Sequence, residues 1–116
     1  MRVGDWRPFG RVPEISAEEL QKELEKDAVQ VVDVRTGPEF RRSRIPGARH
    51  LPITAFSGHG LDSLELDRDR PVVAICLTAH RSIPAVRKLR ERGFDARQLR
   101  GGMRAWWKSD GNCTQG

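Results

Sequence analysis

At 116 residues, with 37% hydrophobic and 32% charged residues, the chain suffices for one domain with its own core and needs no disulfide staples. Mean hydropathy is −0.61, no apolar stretch approaches the roughly 20 residues that span a bilayer, and two widely separated cysteines do not make a disulfide scaffold. The N-terminus, Met1 to Pro8, lacks the apolar run of a secretory signal, so the expectation is a protein of the reducing cytoplasm with no membrane partner.

In chain order, residues 1–14 read as a loosely ordered N-terminal arm carrying Pro8, Gly10 and Pro13. Ser16-Ala17-Glu18-Glu19 is a capping box, in which the serine side chain caps the helix and Glu19 reaches back. The helix it opens runs to about Lys26, with Leu20 and Leu24 on its inner face. Val29–Val34 is valine-rich and broken only by Gln30 before Asp33, the pattern of a strand covered on both faces. Pro38–Arg42 is a short helix, and Ile45-Pro46-Gly47-Ala48 turns the chain into a short strand near Arg49–Leu51. The stretch 53–70 is mixed, with a weak helix suggested by Leu61, Leu64 and Leu66. Pro71–Cys76 is the second strong strand. Pro84 lies in the first turn of the next helix, where a missing N–H costs little, and Gly93 stops that helix. Asp95–Leu99 is a strand, Gly101-Gly102 opens a last helix through Trp106-Trp107, and 109–116 reads as a flexible tail. Alternating strands and helices predict a parallel α/β domain over residues 15–108.

Net charge is +5 and uneven: from His80 to Lys108 nine basic residues face Glu91 and Asp95 alone, whereas residues 1–60 hold ten basic and nine acidic residues. Such a surface attracts anions or an acidic protein partner, unless it is only a solvated helix face. No aromatic interleaving or nucleic-acid motif accompanies it, so nucleic acid is not an expected partner.

Cys76 is the most informative residue. A thiol at the carboxyl end of a buried strand, just before a loop and a helix N-terminus, meets inward-pointing N–H groups and the positive end of the helix dipole. Such an environment favours the thiolate, the reactive form. Arg81 adds a fixed cation, and Asp33 and Arg35 stand at a second strand end, where ligands of open parallel sheets bind. A buried cysteine packed as a small hydrophobe is the bland alternative.

Several spaced motifs resemble the single-domain rhodaneses. Asp33-Val34-Arg35-Thr36, Glu39-Phe40, Ile45-Pro46-Gly47-Ala48 and Leu51-Pro52 are similar to that family's first signature. Cys76 with Arg81-Ser82 resembles its active-site loop, and Gly93-Phe94, Leu99, Gly101-Gly102 and Trp106 its closing signature. The resemblance implies a central, mostly parallel five-stranded sheet with helices on both faces. It also implies a sulfurtransferase that carries sulfur as a persulfide on Cys76, taken from thiosulfate or a persulfide donor and given to cyanide or a thiol. Leu77, Thr78, Ala79, His80, Arg81 and Ser82 would cradle the anionic sulfur, with Asp33 and Arg35 as pocket support. The chemistry needs no metal and no organic cofactor.

Four residues separate Cys76 from Arg81, against five in the related cysteine phosphatases, whose wider ring suits phosphate; phosphatase activity is disfavoured. The family often has glycine where Ala79 stands, and a positive φ there would cost alanine roughly 1 kcal/mol. Ser43-Arg44 replaces the family's Gly-His. Leu77, Thr78 and Ala79 make the loop less polar than tight thiosulfate binding would want, which favours thiol-bound sulfur as donor. A low-activity rhodanese-fold binding or regulatory module is the alternative reading. His50 and His59 lack ligand spacing with either cysteine. Cys113, in the polar tail, is an incidental exposed thiol or a relay taking sulfur from Cys76.

Overall fold

The computed structural model describes residues 12–116. Five strands, β1 (Glu14–Ile15), β2 (Gln30–Asp33), β3 (Arg49–His50), β4 (Val72–Ile75) and β5 (Ala96–Leu99), form one sheet in the order β1-β5-β4-β2-β3. Every pairing is parallel, with Val32 opposite Ala74 and Arg49, and Ala74 opposite Gln98. The helices are α1 (Ala17–Glu25), α2 (Gly37–Arg42), α3 (Gly58–Ser63), α4 (Ser82–Glu91) and α5 (Gly102–Lys108), with a 3-10 turn at Ile53–Ala55.

Alternation along the strands sorts the core into two layers. Val32, Val34, Val72, Ala74, Cys76 and Ala96 pack with Leu61 of α3 and Ala85, Val86 and Leu89 of α4. Val31, Val73, Ile75 and Leu99 point the other way, onto Leu20 of α1 and Met103 and Trp106 of α5. Both layers draw on β2 and β4, all of whose residues are buried, as expected for strands covered on both faces. This is the α/β architecture expected from the sequence.

Serine and threonine caps set where α1 and α2 start. Ser16 caps α1 and Thr36 caps α2, each with a complete capping box closed by Glu19 and Glu39 respectively. The second box, Thr36-Gly37-Pro38-Glu39, was not read from the sequence.

Both ends of the domain carry contacts that the sequence does not show. The arm placed at 1–14 lies largely outside the described residues, but its last residue, Glu14, starts edge strand β1, and the Gln98 N–H donates to the Pro13 carbonyl. A two-residue strand carries too little pattern to read. The segment 109–116, expected as a flexible tail, is tied back onto the domain. Arg44 and Thr114 exchange both bridge hydrogen bonds at 3.0 and 2.9 Å, Trp106 Nε1 donates to the Asn112 carbonyl at 2.8 Å, and the Gly116 N–H donates to the Arg41 carbonyl at 2.9 Å. The polar composition of the tail hides this because most of its ties run to its own backbone, from the Trp106 indole N–H, the Arg44 guanidinium and the Gln21 amide among others.

Removing residues 110–116 leaves that indole N–H and the Arg44 backbone unpaired. The truncated chain should lose about 1–3 kcal/mol, the usual cost of unsatisfied buried groups. A urea midpoint identical to that of the full chain would show that the tail contributes nothing.

Candidate active site

Strand β4 delivers Cys76 to the carboxyl edge of the sheet at 1% exposure, and the chain then turns through 77–81 into α4. The loop folds back over the sulfur. The backbone N–H of Ala79 donates to Cys76 Sγ at 2.9 Å, and Ser82 Oγ lies 3.5 Å from the same sulfur on the other side. No side chain caps the N-terminus of α4, so the first-turn amides beyond Arg81 are not occupied by a capping side chain.

The orientation of Ser82 is set from outside the loop. Glu14 Oε2 accepts from Gln98 Nε2 at 2.9 Å, which turns the Gln98 oxygen towards the buried Ser82. The Ser82 hydroxyl donates to that oxygen at 2.6 Å, more closely than to the Ala79 carbonyl at 3.3 Å. With its hydrogen so committed, Ser82 presents a lone pair to Cys76. The edge strand and β5 thus fix the polarity of a group beside the thiol.

A second support comes from α5. The Met103 and Arg104 N–H groups donate to the carbonyls of Cys76 and Leu77 at 2.8 and 3.1 Å. The approach requires glycine at 102. A Cβ there would fall on the Cys76 carbonyl and within 2.6 Å of the Leu77 carbonyl, and φ is +58°.

The third support is α2. Buried Asp33 and Arg35 form a fork, Nε to Oδ1 at 2.9 Å and Nη2 to Oδ2 at 2.7 Å, and the Arg35 backbone N–H also donates to Oδ1 at 3.0 Å. Arg35 Nη2 reaches on to the Ser43 carbonyl at the end of α2, at 2.6 Å. Phe40 of α2 stacks on His50, whose Nε2 lies 2.7 Å from the Arg35 carbonyl. So held, α2 turns Glu39 towards the loop, where Arg81 Nη1 and Nη2 donate to Oε1 and Oε2 at 3.0 and 3.2 Å. The Arg81 fork and the two Thr36 donors hold the Glu39 carboxyl down at about 2. The partner effect raises Arg81. Because the folded-state value is depressed, the pair's contribution to stability is complete above pH 4.5 and fades as pH falls towards 2.

The Rhodanese-like domain family matches residues 16–109. The chain belongs to that family. It is 34% identical over 100 residues to the thiosulfate sulfurtransferase GlpE of Shewanella oneidensis, covering 83% of this chain and 93% of that protein. It is 36% identical over 98 residues to a tRNA sulfurtransferase of Desulfurococcus amylolyticus, covering 82% of this chain but only 19% of that longer protein. A rhodanese-related protein of Thermoplasma volcanium superposes with a TM-score of 0.78 at 25% identity, over 89% of this chain and 98% of its own. Sulfur transfer is the general activity these similarities support.

Within this rhodanese-like domain, the expected residues fall into two groups. Cys76, Ala79 and Ser82 come together around the sulfur. Arg81 borders the loop but is forked onto Glu39, 42 positions away, rather than directed at the thiol. Thr78 and His80 are exposed, with Thr78 Oγ1 3.5 Å from His80 Nδ1. Asp33 and Arg35 form the expected ion pair, and it bears on α2 rather than on the sulfur directly. Sequence reasoning did not single out Glu39, Gln98, Glu14 or the contact of Gly102 with the loop. For Glu39 a signal existed, the capping box with Thr36; for the others the contacts are set by tertiary placement. Cys113 is exposed, its Sγ 3.7 Å from the Gly111 carbonyl. A cavity of about 440 Å³ opens elsewhere, among Leu24, Gln30, Pro46, Trp106 and Asp110, and contains no residue of the Cys76 loop. Among the described residues no cluster of His, Cys, Asp or Glu could hold a metal.

Ala79 has φ of +134°, a region that alanine adopts at a cost. Ala79→Gly should therefore stabilise the protein by about 1 kcal/mol, read as a higher urea midpoint at unchanged slope; a lower midpoint would mean that alanine is not strained there. Gly102→Ala should destabilise by more than about 2 kcal/mol, because its Cβ displaces backbone that a side chain cannot replace, and calorimetry reads the loss.

Proposed function

We propose that the protein is a sulfurtransferase that carries sulfane sulfur as a persulfide on Cys76. The observation that supports this most directly is the 2.9 Å donation from the Ala79 N–H to Cys76 Sγ. A backbone donor already aimed at the sulfur would serve equally for the outer sulfur of a persulfide as the ring adjusts, and it needs no reorganisation of side chains. The four-residue spacing to Arg81 makes a ring too small for a phosphoryl group but sufficient for one sulfur atom.

The reaction is a two-stage transfer. The Cys76 thiolate attacks the outer sulfur of the donor, a Cys76 S–S bond forms, and the donor's own S–S or S–SO3 bond breaks. The electron pair leaves with a thiolate or with sulfite. A nucleophile such as cyanide or a second thiol then takes the outer sulfur, as thiocyanate or a new persulfide, and Cys76 leaves as thiolate. Leu77 to Ser82 provide the ring, Ser82 offers its lone pair to the thiol proton, and Asp33 and Arg35 support the pocket through α2. Donors are thiosulfate or a persulfide, free or on a protein, and the acceptor is cyanide or a thiol, free or on a partner protein. A reducing compartment such as the cytoplasm suits a working thiol of this kind.

The test is intact-protein mass after incubation with thiosulfate and, separately, with a low-molecular-weight persulfide, for the parent protein, Cys76→Ser and Cys113→Ser. A gain of one sulfur that cyanide removes, lost in Cys76→Ser and kept in Cys113→Ser, is the expected result. No gain from either donor while Cys76 still alkylates would overturn the reading and leave a binding module. A gain lost in Cys113→Ser alone would move the carrier to the tail.

A further inference from the structure

Arg81 is the only lysine or arginine in the loop 77–82, and its charge is already matched. Glu39 receives both guanidinium nitrogens, and its own position is held by Thr36, whose backbone N–H and hydroxyl donate to Oε1 at 2.9 and 3.1 Å. Because Glu39 closes the capping box of α2, it cannot swing away from Arg81 without uncapping that helix. The side chains of Arg81 and Glu39 are about one-third exposed, at 35% and 31%, so an incoming donor meets both ends of the pair.

We infer that Glu39 is a specificity-determining residue: by holding Arg81 as a neutral pair at the loop, it selects thiol-bound persulfides over small dianionic donors. The inference rests on the persulfide reading above and names the donor class within it. A doubly charged donor such as thiosulfate loses water on entering the loop. It needs a net cation there in return, and instead meets a carboxylate within the same pair. A thiol persulfide brings one charge at most, on the sulfur being transferred. Backbone N–H groups meet that charge, and its leaving group is a thiolate rather than sulfite. The rest of the loop agrees, since Leu77, Thr78 and Ala79 add no charge to hold a sulfonate.

Glu39→Gln separates charge from scaffold. Glutamine also closes a capping box, so a carbonyl oxygen in the place of Oε1 can keep the Thr36 bonds and the bond from Arg81 Nη1, while the amide group in the place of Oε2 breaks the bond to Nη2 and leaves the guanidinium charge unmatched. Steady-state rates with cyanide as acceptor are measured for thiosulfate and for 2-hydroxyethyl persulfide, at two ionic strengths. The expected result is a fall of about tenfold or more in KM for thiosulfate, with kcat changed by less than about threefold and KM for the persulfide nearly constant. The lowered KM should rise again with salt, because a freed surface cation is screened. The gain in thiosulfate KM should be lost again in Glu39→Gln/Arg81→Gln, since the unmatched Arg81 charge is what draws in the dianion.

Parallel changes for both donors in Glu39→Gln would overturn the inference and leave Glu39 as a scaffold residue only. If Glu39→Gln does not fold, Glu39→Ala takes its place, since the backbone N–H at 39 still donates to Thr36 Oγ1, and parallel changes for both donors there overturn the inference as well. Failure of both donors to load the parent protein defeats the persulfide reading itself, a separate outcome.

Discussion

The buried fork between Asp33 and Arg35 decides where α2 lies, and the carboxyl edge of the sheet is organised around α2. Both side chains are about 1% exposed, so each charge depends on the other. Removing either would leave an uncompensated buried ion, at a cost of about 3–5 kcal/mol. The pair spans only two residues, yet it does long-range work, because the second nitrogen of Arg35 reaches the Ser43 carbonyl beyond α2. That contact sets the C-terminal end of the helix, Thr36 sets its start, and Glu39 between them has one direction left in which to point. The bond from Arg81 to Glu39 is a consequence of that placement.

The loop around Cys76 is fastened from three separate elements. From α5 come two N–H groups on its carbonyls, from β5 comes Gln98 on Ser82, and from α2 comes Glu39 on Arg81. This redundancy explains how Ala79 tolerates φ of +134°. A residue is kept in a sparsely populated region only where its surroundings over-determine it. The benefit is local: at that φ the Ala79 N–H faces the sulfur three residues back. Glycine would reach the same backbone more freely, but it would also widen the range of loop shapes in the unliganded protein.

Legibility in the sequence followed the range of the physics involved. The strands β2 and β4 could be read because burial on both faces leaves their stretches rich in valine and other apolar residues, broken in the first only by Gln30 before Asp33, and α1 because its capping box and leucine spacing are local. The α2 box, Thr36-Gly37-Pro38-Glu39, was just as local, yet Glu39 passed as part of a family signature rather than as a side chain with two partners. For Arg81 the spacing from Cys76 is visible in the sequence, whereas a carboxylate 42 residues earlier is not. Neither Gln98 nor Gly102 could be assigned a role without the sheet order β1-β5-β4-β2-β3, which brings β5 beside β4 and α5 under the loop. Strand β1 and the tail escaped because two residues carry no period, and a backbone bridge leaves no mark on composition.

The excess of positive charge between His80 and Lys108 looks different once its neighbours are known. Arg90 and Arg97 share Asp95, Arg92 reaches Asp62, and Arg100 reaches Glu14. Each such exposed pair adds little stability, but together they shorten the reach of the field that the sequence alone suggests. What remains of the +5 net charge can raise the encounter rate of any anion, within a screening length of about 8–10 Å at ordinary ionic strength. It cannot tell a dianion from a persulfide, because both are drawn in by the same distant field. Discrimination has to act over the few ångströms around the sulfur, where solvent screens least and one carboxylate can offset the cation beside it. Glu39 stands beside Arg81 at the border of the loop, and a capping box keeps it there.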